Sequence, residues 1–314
     1  MKAPVAVTGG SGFIGREVIA RLVQNGWPVR ALVRRSRPDL ERAGVVAVRG
    51  SLENGAALRR LVAGAAAVVH CAGAVRAPSA AAFRLVNAMG SARLMAATAA
   101  AATRPRFLLL SSLAAREPAL SAYAESKRLG EEEVRRGAGQ SIEFCIVRPP
   151  AVYGPGDRAT LPVFRQLRKG LLFVPAVAEA RFSLVYVSDL AEMIVQLIET
   201  PGWDGSTLEF HDGREDGYRW QDLAEIGARQ LGRPVRTIAV PLPILWPAAA
   251  LAQAAGAALG RSPRLSLGKL RELFHADWVC HAAATEALAG WSARTTFESG
   301  FAPTMAWYER NRWL

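Results

Sequence analysis

Lysine is almost missing from this chain: of 39 basic residues only Lys2, Lys127, Lys169 and Lys269 are lysine, and the other 35 are arginine. With 27 acidic residues the net charge is +12. The arginines come as scattered pairs, such as Arg59-Arg60 and Arg135-Arg136, with no block of five or six. That pattern argues against a nucleic-acid partner, which calls for a basic stripe with interleaved aromatics. It leaves solvated helix faces, or attraction to an anionic ligand or lipid. Cysteine is sparse as well. Cys71, Cys145 and Cys280 are too few and too scattered for a disulfide framework or a zinc site, which reads as a reducing compartment. The four histidines, His70, His211, His275 and His281, lack metal-ligand spacing, so no metal is expected.

No signal-peptide pattern opens the sequence: Met1-Lys2-Ala3-Pro4 leads straight into an apolar strand, and the expected location is the cytoplasm. A membrane-spanning run is absent too. Residues 238–260 are apolar except for Gln253, but Pro241, Pro243 and Pro247 should break the first half. The remainder, Ala248 to Gly260, makes a helix only ~20 Å long against a hydrocarbon core of ~30 Å. Either the protein buries this stretch, or it is a surface patch in peripheral contact with a membrane.

What is present is an ordinary globular composition, 51% hydrophobic and 21% charged over 314 residues, long enough to bury a large core. Short apolar runs of strand type occur at Pro4–Thr8, Pro28–Val33, Val45–Val48, Ala67–Cys71, Arg106–Ser111 and Ile142–Val147. Helical spacing occupies Phe13–Asn25, Asn54–Val62, Ala80–Ala102 and Ala122–Arg136 between them. This alternation predicts an α/β fold, a Rossmann-type doubly wound parallel sheet that binds ligands at the carboxyl ends of its strands. The expected division is 1–153, with 183–212 returning to it, and a smaller, mostly helical C-terminal substrate lobe from 154–182 and 213–314. The helices Ala80–Ala102 and Ala122–Arg136 are candidates for pairing across a homodimer.

Four features carry chemistry. Thr8-Gly9-Gly10-Ser11-Gly12-Phe13-Ile14-Gly15 lies between the first strand and the first helix, where glycines at 9, 12 and 15 allow a tight turn and close approach to a pyrophosphate. The second strand ends in Val33-Arg34-Arg35 rather than in the acidic residue that would accept from a ribose 2′-hydroxyl. Arg34 can clamp a 2′-phosphate instead, favouring NADP(H) over NAD(H). Tyr123 and Lys127 stand at i and i+4 on one helix face. A free tyrosine titrates near pH ~10; an adjacent ammonium favours the phenolate and brings it toward a working acid/base range. Ser111-Ser112 closes the fifth strand, where a hydroxyl can hold a substrate carbonyl. His70 and Cys71 beside it are read as buried structural residues.

The ordered set of Thr8–Gly15, His70-Cys71-Ala72-Gly73, Asn87, Ser111-Ser112, Tyr123 with Lys127, and Arg148-Pro149-Pro150-Ala151-Val152-Tyr153-Gly154-Pro155-Gly156 resembles the extended short-chain dehydrogenase/reductase superfamily. That group contains the NAD-dependent epimerases and dehydratases. Val185-Tyr186-Val187-Ser188-Asp189-Leu190-Ala191 resembles its later strand-to-helix junction. The resemblance implies that the glycine loop binds pyrophosphate, Tyr123 is the acid/base, and Lys127 binds the nicotinamide ribose and tunes Tyr123. Ser112 rather than Ser111 matches the carbonyl-orienting hydroxyl. Pro149 and Val152 would flank the nicotinamide, while Ser51, Leu52, Cys71, Ala72, Gly73 and Asn87 would complete the cofactor's surroundings.

Two departures bear on the substrate. Gly50-Ser51-Leu52 stands where the family has Gly-Asp-Leu, which puts the adenine contact in doubt. Only eleven residues separate Ser112 from Tyr123, without the longer loop and Val-Tyr-Gly typical of sugar-nucleotide members. The C-terminal part, with Pro241-Leu242-Pro243-Ile244-Leu245-Trp246 and the run from Gly268 to Trp278, is similar to 3β-hydroxysteroid dehydrogenase-like and lipid ketoreductase members. The expected function is an NADP(H)-dependent oxidoreductase, interconverting a secondary alcohol and a ketone on a sterol- or lipid-like substrate such as a keto-sphingolipid. The alternatives are a sugar-nucleotide epimerase or dehydratase with tightly bound NAD, and a non-catalytic cofactor-binding scaffold.

Overall fold

In the computed structural model of the chain, residues 2–177, 179–263, 265–283, 285 and 290–314 are described. They form two compact units, Met1–Arg148 with Ala191–Leu208, and Pro149–Leu190 with Glu209–Leu314.

The first unit is built on β1 (Val5–Thr8), β2 (Val29–Val33), β3 (Val46–Arg49), β4 (Ala67–His70), β5 (Arg106–Leu110) and β6 (Phe144–Val147), with a seventh strand at Asp204–Leu208. The order across the sheet runs from Asp204–Leu208 through β6, β5, β4, β1 and β2 to β3, and every pair is parallel. Strands β1, β4 and β6 are buried along their whole length. That is what an apolar run without alternation requires when helices cover both faces of a sheet. Helices α1 (Phe13–Gln24), α2 (Pro38–Arg42), α3 (Gly55–Val62), α4 (Ala80–Asn87), α5 (Met89–Ala99) and α6 (Ala122–Ala138) make the crossovers. Leu58, Leu61, Leu94, Met95 and Val134 from these helices pack on Val68, Phe107 and Ile146 of the sheet. The chain leaves β1 for β2 on one side and later returns to β4 on the other. The crevice at the carboxyl ends of β1 and β4 is therefore the topological switch point where such sheets bind ligands.

The described residues of the second unit form three two-stranded parallel pairs: Ala151–Tyr153 with Leu184–Tyr186, Leu171–Pro175 with Arg236–Val240, and Arg181–Phe182 with Asp277–Trp278. Its core is aromatic, with Tyr153, Phe164, Tyr218, Phe297, Phe301 and Tyr308 in one cluster. The Asp212 carboxylate lies within that packing and accepts from the Tyr218 hydroxyl at 2.6 Å and the Phe297 N–H at 2.9 Å. Burial nevertheless holds its pKa above the ordinary carboxylate range.

Several sequence expectations shift. The unit boundary falls at Arg148/Pro149 rather than at 153/154, and the returning stretch is Ala191–Leu208 rather than 183–212. Ala151–Tyr153 pairs with Leu184–Tyr186 inside the second unit, which takes both stretches away from the main sheet. The helical pattern Ala80–Ala102 is divided at Ala88. The Ser91 hydroxyl takes the Asn87 carbonyl at 2.7 Å, and such back-bonding bends a helix. Pro241, Pro243 and Pro247 do not break the apolar stretch, since a single helix runs from Leu242 to Ala258. Pro241 precedes that helix and Pro243 sits in its first turn, where no N–H is needed, so only Pro247 removes an internal bond.

Candidate active site

The glycine loop sits where the sequence predicts, between β1 and α1. Gly9 has φ +74°, and a Cβ there would overlap the backbone of Cys71 and Ala72; a Cβ on Gly15 would overlap Gly9. The turn closes through Gly12 N–H donating to the Gly9 carbonyl at 2.8 Å. Gly12 is the N-cap of α1 and offers no side chain to the first-turn N–H groups. A helix start with open donors and a glycine cradle fits a pyrophosphate.

A buried hydrogen-bonded chain fastens this loop to the rest of the strand ends. The Ala72 N–H donates to Thr8 Oγ1 at 3.3 Å, and Thr8 Oγ1 lies 2.6 Å from His70 Nδ1. His70 Nε2 lies 3.0 Å from Ser91 Oγ, whose own proton is committed to the Asn87 carbonyl. Full burial, with the Lys127 charge adding to it, lowers the His70 pKa to about 3, so the ring is neutral. Ser91 can then only accept, which puts the ring proton on Nε2 and leaves Nδ1 to accept from Thr8. The Asn87 side chain extends the chain: Oδ1 accepts from Ala74 N–H at 2.7 Å, and Nδ2 donates to the Ala74 carbonyl and to Ser126 Oγ. Ser126 in turn donates to the Tyr123 carbonyl at 2.7 Å. Asn87 thus holds the loop after β4 against α6 by main-chain and hydroxyl contacts.

Ser111 and Ser112 differ sharply. Ser111 is buried and its hydroxyl donates to Glu131 at 2.5 Å. Glu131 also receives Arg148 at both oxygens, at 2.9 and 2.6 Å. Ser112 is half-buried at the carboxyl end of β5, capping the short turn Leu113–Arg116 by accepting from Ala114 N–H. Its own proton has no acceptor among the described residues. Tyr123 is half-buried in the first turn of α6, its ring 6.0 Å from that of Phe83. Lys127, one turn on, is buried and donates to the Leu110 carbonyl at 2.8 Å. Burial lowers its pKa to about 8, with the Glu131 carboxylate opposing the shift. The neighbouring Cys71 thiol is pushed up to about 12 by burial, despite the Lys127 charge. That is no nucleophile near neutrality.

Gly73 lies beside Asn87 Oδ1 and Lys127 Nζ. Arg34 is exposed just past the end of β2, beside β1 in the sheet. Ser51 is half-buried after β3 and accepts from Glu53 N–H, while Leu52 packs on the core and on Gly90. Pro149 and Val152 belong to the second unit, Val152 on the strand Ala151–Tyr153. Sequence reasoning did not single out Ser91, Ser126 and Glu131. The only signal for them was polar residues at i+4 positions on otherwise buried helix faces.

The sequence profile of the NAD-dependent epimerase/dehydratase family matches residues 5–207. This chain belongs to that family. It is an NAD(P)-dependent enzyme of the short-chain dehydrogenase/reductase type. It is 38% identical to the ceramide reductase of Caulobacter vibrioides over 312 residues, 99% of this chain and 96% of the relative. To the 2-alkyl-3-oxoalkanoate reductase of Stenotrophomonas maltophilia it is 28% identical over 206 residues, covering 60% and 62%. Among solved structures, the UDP-glucose 4-epimerase of Thermotoga maritima with UDP-glucose matches with a TM-score of 0.76 at 19% identity, over 98% and 99% of the two chains. The epimerase of Bifidobacterium longum with NAD+ and UDP gives 0.72 at 17% identity, over 98% and 99%. At those identities the likeness is one of fold. No described helix is long and apolar enough to cross a membrane.

Proposed function

We propose that the protein is an NADP(H)-dependent ketoreductase acting on a long-chain, ceramide-type lipid ketone. The observation that carries this reading is the set of groups at one edge of the sheet: a half-buried Ser112 with an uncommitted proton, Tyr123, and a buried Lys127 cation one turn along α6. The likeness to a ceramide reductase over nearly the whole length supports the substrate class. Arg34, exposed past β2 where the family would otherwise use an acidic residue, supports NADP(H). The glycine cradle and the uncapped α1 start would hold the pyrophosphate, and Lys127 would hold the nicotinamide ribose.

Hydride exchange at the carbinol carbon is the chemistry a nicotinamide would supply when bound. Ser112 donates a hydrogen bond to the carbonyl oxygen and fixes its position. Tyr123 gives that oxygen its proton, so ketone, hydride and proton become a secondary alcohol. The Lys127 ammonium favours the phenolate left behind, which solvent reprotonates. His70, Asn87 and Ser126 touch no reacting atom; they hold the Thr8 loop and α6 in fixed relation.

Purified protein with a 3-keto long-chain base, its N-acylated form, a steroid 3-ketone and a keto-sugar nucleotide tests the reading, each with NADPH and with NADH. Stoichiometric NADPH consumption with alcohol formed from the N-acylated lipid is the expected result. Turnover confined to the sugar nucleotide, with no net cofactor consumption, makes the protein an epimerase instead.

A further inference from the structure

The helix Leu242–Ala258 has 17 residues, none of them charged. Ala249 and Gly256 are buried, and Leu242, Leu245 and Ala252 are half-buried along the same edge. That edge rests on the helix Leu267–Leu273, and Gln253 fastens it by accepting from Leu267 N–H at 3.1 Å. Elsewhere on the helix large apolar side chains stand open: Ile244 is 67% exposed, Trp246 52% and Leu251 73%. Just before it, Ile238 and its strand partner Phe173 are exposed on the pair Leu171–Pro175 and Arg236–Val240.

A helix apolar on all sides is ordinarily buried in a core or spans a bilayer. This one is exposed, and at 17 residues it is ~26 Å long, short of a ~30 Å hydrocarbon layer. The charges around it choose the occupant. From Ile226 to Arg271 the sequence contains no aspartate or glutamate and seven basic residues. Arg233, Arg236 and Arg261 flank the helix on both sides and have no acidic partner among the described residues. The partner strand follows the exposed Arg168 and Lys169.

We propose that this face docks on an anionic lipid bilayer, with the helix Leu242–Ala258 lying in the interface, Trp246 at headgroup depth and Arg233, Arg236 and Arg261 on the lipid phosphates. Apolar burial supplies the depth of insertion and the arginines supply the selectivity for negative surfaces. This inference stands independently of the substrate, since it concerns a surface remote in sequence from Tyr123 and Lys127.

The test is co-sedimentation of the full chain, without substrate or cofactor, with vesicles of phosphatidylcholine alone or containing a third phosphatidylglycerol. Binding at least tenfold stronger to the anionic vesicles, and weakened by raising salt from 0.1 to 0.5 M by about the same factor, is expected because screening shortens to a few ångströms there. Ile244→Glu with Leu251→Glu should abolish binding, and Arg233→Gln with Arg236→Gln and Arg261→Gln should remove the preference for anionic lipid while sparing ketone reduction in detergent. Circular dichroism and melting confirm that each variant folds, and Trp246→Phe should lose the fluorescence blue shift that vesicles produce. Wild-type protein that ignores anionic vesicles overturns the proposal. So does undiminished binding by the Ile244→Glu/Leu251→Glu variant. A loss of self-association in that variant, with no vesicle binding by the wild type, assigns the face to a second copy of the chain and overturns it equally.

Discussion

His70 Nδ1 accepts from the Thr8 hydroxyl at 2.6 Å, and the tautomer that permits this is set on the far side of the ring by Ser91. Thr8 is the last residue of β1 and the entry to the glycine loop, so one neutral imidazole joins that loop to the α4–α5 break. Because every hydroxyl in that chain donates once, reversing any one bond leaves another group unsatisfied.

Replacing His70 with Phe should therefore strand the Thr8 hydroxyl proton, at a cost of about 1–3 kcal/mol, while Ser91 keeps its bond to the Asn87 carbonyl. The pH dependence gives a sharper reading. With the folded pKa lowered to about 3 and an unfolded value near ~6.5, only the unfolded chain takes up a proton in that window. The stability this confers is complete above pH ~6.5 and is lost as pH falls toward 3. Urea titrations from pH 7 to 4 should show a steeper loss for wild type than for His70→Phe. Parallel curves would remove His70 from the explanation.

Lys127 sets a limb on the alkaline side. Its lowered pKa of about 8 means that the buried ammonium is present below that pH and lost above it. Ketone reduction should fall as pH rises through about 8, since the uncharged amine no longer favours the Tyr123 phenolate. Lys127→Met should be slower by about 10²–10⁴-fold, the usual range for impaired acid–base catalysis, and show no such limb in kcat/KM. A limb of unchanged position in that variant would assign it to another group.

The Glu131–Arg148 pair is buried and shares Glu131 with Ser111. Glu131→Ala leaves the arginine buried without its carboxylate, and should cost about 3–5 kcal/mol in denaturant unfolding. The double variant Glu131→Leu/Arg148→Met should recover most of that loss. A double variant as unstable as the single one would show that the charge itself is not what matters.

Arg34→Ala should raise KM for NADPH by tenfold or more and leave KM for NADH nearly unchanged. Equal effects on both cofactors would mean that Arg34 does not contact a 2′-phosphate.

Much of the first unit was readable because its strands are buried on both faces, which leaves uninterrupted apolar runs such as Val5–Val7 and Ala67–Val69. The glycine loop was readable for a similar reason: Gly9 and Gly15 have no room for a side chain. What escaped was set by contacts and positions that residue type alone does not encode. The break at Ala88 coincides with a Ser91 hydroxyl bonded to the Asn87 carbonyl, which could equally have faced solvent, and Ala80–Ala102 has unbroken helical spacing. The division at Arg148 depends on Ala151–Tyr153 choosing Leu184–Tyr186 as its neighbour, a pairing no local pattern encodes. The prolines before Ala248 misled for a positional reason, since two of the three lie outside the helix or in its first turn.

The most direct measurement uses NADPH carrying deuterium at both nicotinamide C4 positions, an N-acylated 3-keto long-chain base, and wild-type beside Tyr123→Phe protein. Mass spectrometry of the product should show one deuterium on the carbinol carbon with the wild type, and loss of turnover with cofactor binding retained in Tyr123→Phe. An unlabelled alcohol, or equal turnover by Tyr123→Phe, would contradict hydride transfer with Tyr123 as the proton donor.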